Sequence, residues 1–181
     1  LGAINFEVNS HNKFRLLLFL YGNAGTGKSL IISMIQRLFR ATDIGTLDSN
    51  AHERWWMTNL WDKLVYCLAE LDRGTKIPIP TLKKMVTGEW VVVQRRNMDE
   101  YEMKWTAPGI VSSNRFQIDD AKGSMMRRLA FFWFRHTPKS KNQRFEDDMR
   151  MESANFLLRT LMWYHTLNGQ TQLPEIGRAH V

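Results

Sequence analysis

Apolar residues along this chain fall into short runs separated by polar and glycine-containing segments. Residues 16–21, 63–72 and 107–114 each have the length and near-continuous apolarity of a strand buried on both faces of a parallel sheet. A fourth apolar run ends the segment 119–134. Between the first two runs, Ile31, Ile35 and Leu38 recur at helical spacing within residues 30–40. This alternation predicts an α/β fold with a central, mostly parallel sheet.

The remaining segments predict the layers around that sheet. Residues 76–87 begin with prolines and become a short basic helix, and residues 44–47 form a short strand. The three tryptophans within 52–61 favour helix-face packing against the sheet, with a base-stacking platform as the alternative. Residues 89–98 and 102–105 predict a β-hairpin. Its basic tip is either a solvated loop or a finger that grips phosphates, with Arg95, Arg96 and Asn97 at or near its end. Residues 143–167 are helical by pattern and should cover the sheet or form a small lid.

A glycine-rich turn, GNAGTGKS, joins the first predicted strand to the first predicted helix. Glycines at these positions let successive backbone N–H groups point at one anion, which a residue with a Cβ would resist. The lysine then supplies a mobile charge for the β and γ phosphates, and the serine hydroxyl suits Mg²⁺ at a helix N-terminus. The motif therefore predicts binding of ATP and Mg²⁺ by a loop of nine residues: Gly22, Asn23, Ala24, Gly25, Thr26, Gly27, Lys28, Ser29 and Leu30.

Two later strands end in residues suited to phosphate chemistry. A carboxylate at the end of a strand beside the first can hold Mg²⁺ through water and polarise the attacking water, and Glu70 is the candidate for that role. Asp72 either shares this role or caps the following turn. An amide at the end of the next strand can hold the attacking water, and Asn114 occupies that place.

Composition narrows the class of protein. The chain has 181 residues, one domain's worth, with a net charge of +7 that favours a polyanionic partner. Its one cysteine, Cys67, lies in an apolar run and suits a reducing compartment, and no apolar stretch is long enough to cross a bilayer. We therefore expect an intracellular protein that does not enter a membrane. The histidines and the cysteine show no metal-ligand spacing.

The chain divides by pattern into four parts. Residues 1–14 are interpreted as the tail of an upstream region, residues 15–138 as the core and residues 139–174 as a C-terminal helical segment. The last residues, EIGRAHV at 175–181, match the translation of a sequencing-library adapter and are interpreted as a non-native tail.

In order, these pieces resemble the superfamily 3 helicases of DNA viruses, from about residue 14 to residue 169. The phosphate loop alone does not distinguish that family, whereas the ordered set GNAGTGKS, AELD, basic hairpin, APGIVSSN and RRLAFFWF does. The hairpin-to-sensor stretch is similar to papillomavirus and parvovirus replication helicases. The segments AELDRG, LKKMVTGE and NFLLRTLMWY look more like poxvirus-type primase-helicases and their giant-virus and phage relatives.

The resemblance implies a three-layer, AAA+-like phosphate-loop NTPase acting as an ATP-dependent replicative helicase on single-stranded or fork DNA. It implies a ring, a hexamer by analogy, in the nucleus or cytoplasm of a host. Lys28 and Ser29 would bind ATP and Mg²⁺, Glu70 would be the catalytic acid and metal partner, and Asn114 the γ-phosphate sensor. Arg128, 14 positions after Asn114, would be the arginine finger beside Arg127. The DNA-binding region would comprise Lys84, Arg95, Arg96 and Asn97.

One departure and two rival functions remain open at the level of sequence. Family members often carry two adjacent acids, whereas Leu71 separates Glu70 from Asp72 here. An RNA-virus helicase of the picornavirus type would show the same order of motifs. A small-molecule kinase would share the phosphate loop but would need an acceptor pocket and an arginine-bearing lid, for which the basic hairpin is poor material.

Overall fold

The computed structural model of the protein describes residues 1–10, 14–47, 56–68, 78–94, 98–114, 123–140, 142 and 144–167. Seven strands and four α-helices lie within these ranges. The strands are β1 (Leu17–Gly22), β2 (Ile44–Thr46), β3 (Val65–Leu68), β4 (Trp90–Val93), β5 (Tyr101–Lys104), β6 (Gly109–Ser113) and β7 (Leu129–Phe134). The helices are α1 (Lys28–Gln36), α2 (Ile79–Thr87), α3 (Phe145–Met151) and α4 (Ser153–Leu167).

The central sheet contains five parallel strands in the order β2-β3-β6-β1-β7. Strand β1 lies between β6 and β7, and Tyr21 near its end pairs with Ser113 on one side and Trp133 on the other. The carboxyl ends of β1 and β6 therefore lie at the same edge of the sheet. The predicted α/β fold with a mostly parallel sheet is confirmed.

Two apolar layers cover the two faces of this sheet. Because side chains alternate along a strand, Phe19 packs in one buried cluster and Leu20 in the other. Helix α1 packs on the Leu20 face through Ile32 and Ile35. Helix α2, the hairpin and a short 3₁₀ helix at Trp56–Asn59 contribute to the other cluster. Burial on both faces explains why the runs of β1, β3 and β6 are almost wholly apolar.

Trp56 confirms that the tryptophan-rich segment packs into the core, because only 7% of it is exposed. Trp61 is partly buried against the same cluster. The third tryptophan, Trp55, lies outside the described residues.

The predicted hairpin is confirmed by antiparallel pairing of β4 with β5. Trp90 pairs with Lys104 at its base and Val93 with Tyr101 nearer its tip. Val91 and Val93 are buried in the core, whereas Trp90 and Val92 face solvent. The predicted tip residues, 95–97, lie outside the described residues.

The helix boundaries differ from the predicted ones at α1 and at the carboxyl-terminal segment. Helix α1 begins at Lys28, earlier than expected, because Gly27 takes a left-handed φ of 95° and serves as its N-cap. The segment 143–167 contains two helices, with α3 ending before Glu152 and α4 beginning at Ser153. Helix α3 contacts α1, and α4 packs against the amino-terminal 3₁₀ turn at Gly2–Asn5, whereas the sequence pattern predicts a cover for the sheet or a small lid.

The amino-terminal residues are packed against the core. Ile4 and Val8 are buried, and the backbone N–H of Val8 donates to the carbonyl of Thr106 at 2.8 Å. The ring of Phe6 stacks on Tyr164 of α4 at 4.6 Å between centroids. The described residues of the segment interpreted as the tail of an upstream region therefore pack against the rest of the chain. Among the described helices, none has the length and apolarity needed to cross a membrane.

Candidate nucleotide-binding site

The loop between β1 and α1 has open space around two of its glycines. Gly25 has a φ of 77° and Gly27 a φ of 95°, a left-handed conformation that residues with a Cβ rarely adopt. A Cβ built on Gly27 would have no heavy atom within 4 Å, and one on Gly25 would meet only the Thr137 methyl carbon at 3.7 Å. The backbone conformation therefore requires these glycines, and the space around them can hold an anion.

Lys28, the first residue of α1, holds its ammonium group inside this loop. Its side chain donates to the carbonyl oxygens of Gly22 and Asn23, each at 2.7 Å, and approaches the Thr26 hydroxyl at 3.5 Å. The residue is only 6% exposed, and a buried charge is costly unless it is hydrogen-bonded. The Thr26 hydroxyl in turn donates to the Asn23 carbonyl at 2.8 Å, and these hydrogen bonds fix the loop around the ammonium group.

The amino terminus of α1 adds backbone donors and a favourable dipole to the same loop. Its N-cap, Gly27, makes no side-chain capping bond, and the first turn carries no acidic residue. The positive end of the helix is therefore not neutralised by its own first turn. Ser29 is exposed at this turn, where it lines a small cavity of about 110 Å³ with Arg37 and Met149.

Asn114 follows β6 at the sheet edge where the loop begins. The register pairs Ser113 with Tyr21, one residue before Gly22, so the structure brings Asn114 and the loop to neighbouring strand ends. Strand β3, expected beside β1, is separated from it by β6, and its last residue is Leu68. The predicted acids Glu70 and Asp72 come after it in the sequence and lie outside the described residues.

The predicted finger arginines lie at the opposite edge of the sheet. Arg127 and Arg128 precede β7, whose first residue, Leu129, pairs with Leu17 at the start of β1. The length of β1 therefore separates them from the loop, about 17 Å for a strand of this length. The Arg128 guanidinium donates to the Ser124 carbonyl at 2.6 Å, and Arg127 is exposed. The structure does not bring these arginines to Lys28 within one chain.

Of the four predicted DNA-binding residues, the structure describes Lys84. It is exposed on α2 and lines an open groove at the base of the hairpin. Residues that the sequence analysis did not single out line the same groove, among them Arg15, Trp90 and Lys104. The alternation of side chains along β4 could have identified Trp90 as a surface residue. Val91 and Val93 face the core, which leaves Trp90 on the solvent face.

Comparisons with known proteins bear on family and fold. A family model described as "Family of unknown function (DUF5906)" matches residues 20–128. No curated protein matches the sequence. The fold is similar to that of an apo structure of the NrS-1 C-terminal region, A form, with 20% identity and a TM-score of 0.63 over 82% of this chain and 37% of that one.

Two further solved structures share the fold. The apo structure of NrS-1 C-terminal region 305–718 has 18% identity and a TM-score of 0.61, and it covers 90% of this chain and 44% of its own. JCV helicase bound to a thiazolopyridine compound has 14% identity and a TM-score of 0.51, covering 84% and 44%. The chain thus spans about two fifths of the length of the solved structures it resembles, and these likenesses show its fold.

Proposed function

We propose that this chain, which belongs to the family of unknown function DUF5906, is the ATP-hydrolysing core of a replicative DNA helicase of a virus or mobile element. The observation that carries the proposal is the buried ammonium of Lys28, hydrogen-bonded by the loop that joins the central strand to α1. A hydrogen-bonded cation, a helix N-terminus without a side-chain cap and left-handed glycines lie together in this one loop. This combination suits a triphosphate better than it suits any neutral ligand.

The residues present fit ATP and Mg²⁺. The backbone N–H groups of Gly25 and Gly27 and the ammonium of Lys28 would bind phosphate oxygens, and the exposed Ser29 hydroxyl oxygen would coordinate the metal ion. ATP supplies the phosphoanhydride whose cleavage releases energy, with Mg²⁺ neutralising its charge. Asn114, at the neighbouring strand end, would orient the attacking water through its amide, and Glu70 would be the base that polarises that water.

Three features of the chain support a helicase over a simple ATPase. Arg127 and Arg128 lie at the sheet edge away from the loop, so either could reach a nucleotide only on an adjacent subunit. A ring, a hexamer by the family resemblance, would place them there. The basic hairpin and the net charge of +7 suit a nucleic acid strand, and JCV helicase shares the fold.

The deciding experiment measures ATP hydrolysis by the full chain with and without single-stranded DNA, single-stranded RNA or a double-stranded DNA. We expect single-stranded DNA to stimulate hydrolysis most. Equal or greater stimulation by RNA would favour the picornavirus-type alternative, and phosphorylation of a small acceptor without polynucleotide stimulation would favour a kinase. Absence of hydrolysis under all conditions, with nucleotide binding intact, would contradict the proposal.

A further inference from the structure

An open groove of about 460 Å³ lies at the base of the β4–β5 hairpin. It is formed where the carboxyl end of α2, the first residue of β4 and the last residue of β5 meet the amino-terminal segment. The side chains that give it chemical character are Asn9, Arg15, Lys84, Glu89, Trp90 and Lys104. This groove is distinct from the loop around Lys28, and the family match begins only after Arg15.

The groove carries a net positive charge. Arg15, Lys84 and Lys104 contribute three cations, against one carboxylate from Glu89. Neither lysine forms an ion pair with a residue that the structure describes. The carboxylate of Glu89 accepts a hydrogen bond from the Thr87 hydroxyl at 2.7 Å, which holds it against its own strand entry. Three exposed cations around one concave surface would attract a chain of phosphates.

Arg15 is held in place by the end of α2. The side-chain amide of Asn9 donates to the carbonyl of Thr87 at 2.5 Å and to that of Gly88 at 3.3 Å, carbonyls that a helix end leaves without intrahelical partners. The carbonyl oxygen of the same amide accepts a bond from Arg15 Nε at 2.8 Å. This bond uses the Nε donor, and the two Nη groups carry the other four N–H donors of the guanidinium.

Both residues that make this link have left-handed backbone conformations. The φ angle is 66° at Asn9 and 52° at Arg15, which is uncommon for residues with a Cβ. Asparagine can offset the cost of a left-handed conformation with a local side-chain hydrogen bond, whereas the long arginine side chain has no such local compensation. The backbone is therefore bent at both ends of the link that positions the guanidinium at the groove.

Trp90 provides an aromatic surface beside these cations. It is 58% exposed although it is a large apolar side chain, because it lies on the solvent face of β4 with Val92, opposite the buried Val91 and Val93. Its partner across the hairpin is Lys104, and directly paired residues of antiparallel strands lie on the same face with Cβ atoms about 5 Å apart. An exposed indole next to a lysine is suited to stack a base while the ammonium contacts the adjoining phosphate.

We infer that this groove binds the backbone of a single-stranded nucleic acid, with Arg15, Lys84 and Lys104 on phosphates and one base stacked on Trp90. The inference rests on the proposed helicase function for its biological meaning, but it concerns a surface separate from the nucleotide loop. It adds a contact at the base of the hairpin to those expected at its tip. Because the contacts are to phosphates and to one aromatic face, binding is largely independent of base sequence.

The test measures binding of a fluorescent oligo(dT) of roughly 16 nucleotides to the full chain, without nucleotide, at several salt concentrations. In the combined variant Arg15→Gln, Lys84→Gln and Lys104→Gln, we expect weaker binding and a salt slope reduced by about 2, since each phosphate contact on a single strand contributes about 0.7. Trp90→Ala should weaken single-strand binding by about 5-fold to 100-fold while binding of a duplex of equal length changes little.

Matched variants separate these effects from loss of net charge or of folding. Arg40→Gln, Lys139→Gln and Arg150→Gln together remove the same charge from other exposed positions, and Trp163→Ala removes a tryptophan that is 66% exposed on α4. Both controls should bind like the unmodified protein. Glu89→Gln removes the one anion of the groove and should tighten binding, a result that misfolding cannot produce.

Two results would contradict nucleic acid binding by the groove. One is an unmodified protein that does not bind the oligonucleotide, and the other is a groove variant whose salt slope equals that of its charge-matched control. Hydrolysis of ATP measured in parallel keeps the two proposals apart. If the oligonucleotide binds through the groove but the protein does not hydrolyse ATP, only the proposed function is contradicted. If the protein hydrolyses ATP but the groove variants bind the oligonucleotide normally, only the inference about the groove is contradicted.

Discussion

The ammonium nitrogen of Lys28 lies 2.7 Å from the carbonyl oxygen of Gly22, the last residue of β1. This bond joins the end of the central strand to the first residue of α1 across the whole glycine-rich loop. The ammonium also donates to the neighbouring Asn23 carbonyl at 2.7 Å, so two main-chain carbonyl oxygens of the loop position the cation. A phosphate that binds this loop would therefore meet a cation that is already buried and held in place.

Lys28→Met should remove nucleotide binding and ATP hydrolysis while keeping most of the side-chain volume. Loss of a preorganised cation at a phosphate site should lower hydrolysis by about 100-fold or more. Fluorescent ATP-analogue binding and phosphate release measure the two effects. Lys63→Met is a suitable control, because Lys63 pairs with Asp62 at 2.9 Å and lies in a different loop. A Lys28→Met protein that hydrolyses ATP normally would remove the basis of the proposed function.

Asn114→Ala should abolish hydrolysis yet leave nucleotide binding nearly unchanged. The residue follows β6 at the strand end beside the loop, so its amide can act on the attacking water without contributing to the main phosphate contacts. We expect a loss of about 10²-fold to 10³-fold in the hydrolysis rate. The readouts are single-turnover hydrolysis and nucleotide affinity, with Asn142→Ala at an exposed position as control. An equal loss of affinity would make Asn114 a binding residue instead.

The sequence predicted the sheet and its edges because both depend on local, strong signals. A short apolar run such as that of β6 is typical of a strand buried on both faces, and the glycines before Lys28 favour a turn with left-handed backbone positions. The strand order followed from neither signal. It is a tertiary property, set by which faces of α1 and α2 bury against the sheet.

Other features depend on distant residues that a local pattern does not reveal. The amino-terminal segment packs because Val8 bonds to the backbone at Thr106 and Phe6 stacks on Tyr164, partners about a hundred residues or more away in the sequence. Arg15 gains its place in the groove only through Asn9 and the end of α2. Such long-range polar contacts leave no periodicity in the sequence.

Trp105 should be a principal determinant of stability. It is 1% exposed, its indole N–H donates to the Ala107 carbonyl at 2.7 Å, and its ring meets Tyr66 edge-on at 5.8 Å. Trp105→Ala should lower the free energy of unfolding by about 3–5 kcal/mol through cavity formation. Trp105→Phe should cost about 1–3 kcal/mol, because the Ala107 carbonyl loses its partner.

Urea denaturation followed by circular dichroism measures both losses. Trp163→Ala, at a position that is 66% exposed, should stay within about 0.5 kcal/mol of the unmodified protein. If Trp105→Phe were as stable as the unmodified protein, the hydrogen bond to Ala107 would be energetically irrelevant.

The free energy of unfolding should fall in alkaline solution because of the buried thiol of Cys67. Burial raises the pKa of its thiol to about 12, although a hydrogen bond with Gln36 acts in the opposite direction. The unfolded thiol titrates near about 8.5, so the folded state holds the proton more tightly. The resulting stabilisation is complete below that unfolded pKa and is lost as the pH rises towards the folded pKa.

The measurement compares the free energy of unfolding of the unmodified protein and Cys67→Ala from about pH 8 to about pH 10. The advantage of the thiol should shrink with pH by at most about 1.4 kcal/mol per pH unit. Tyr66, whose pKa burial also raises, is present in both proteins and cancels in the comparison. A constant difference across this range would show that the thiol does not titrate on unfolding.

Arg128 should be required for hydrolysis at a neighbouring subunit's site. The pairing of Leu129 with Leu17 places the arginine at the far end of β1 from the loop, so it cannot serve its own chain's nucleotide. Arg128→Ala and Lys28→Met proteins should each be inactive, while a mixture should regain activity, because some interfaces then combine an intact loop with an intact arginine. An arginine finger is worth about 10³-fold to 10⁵-fold in rate, so the recovery should be readily measured by phosphate release. Arg127→Ala, changed at the adjacent exposed position, shows which of the two arginines acts. Full activity of Arg128→Ala alone would exclude it from that role.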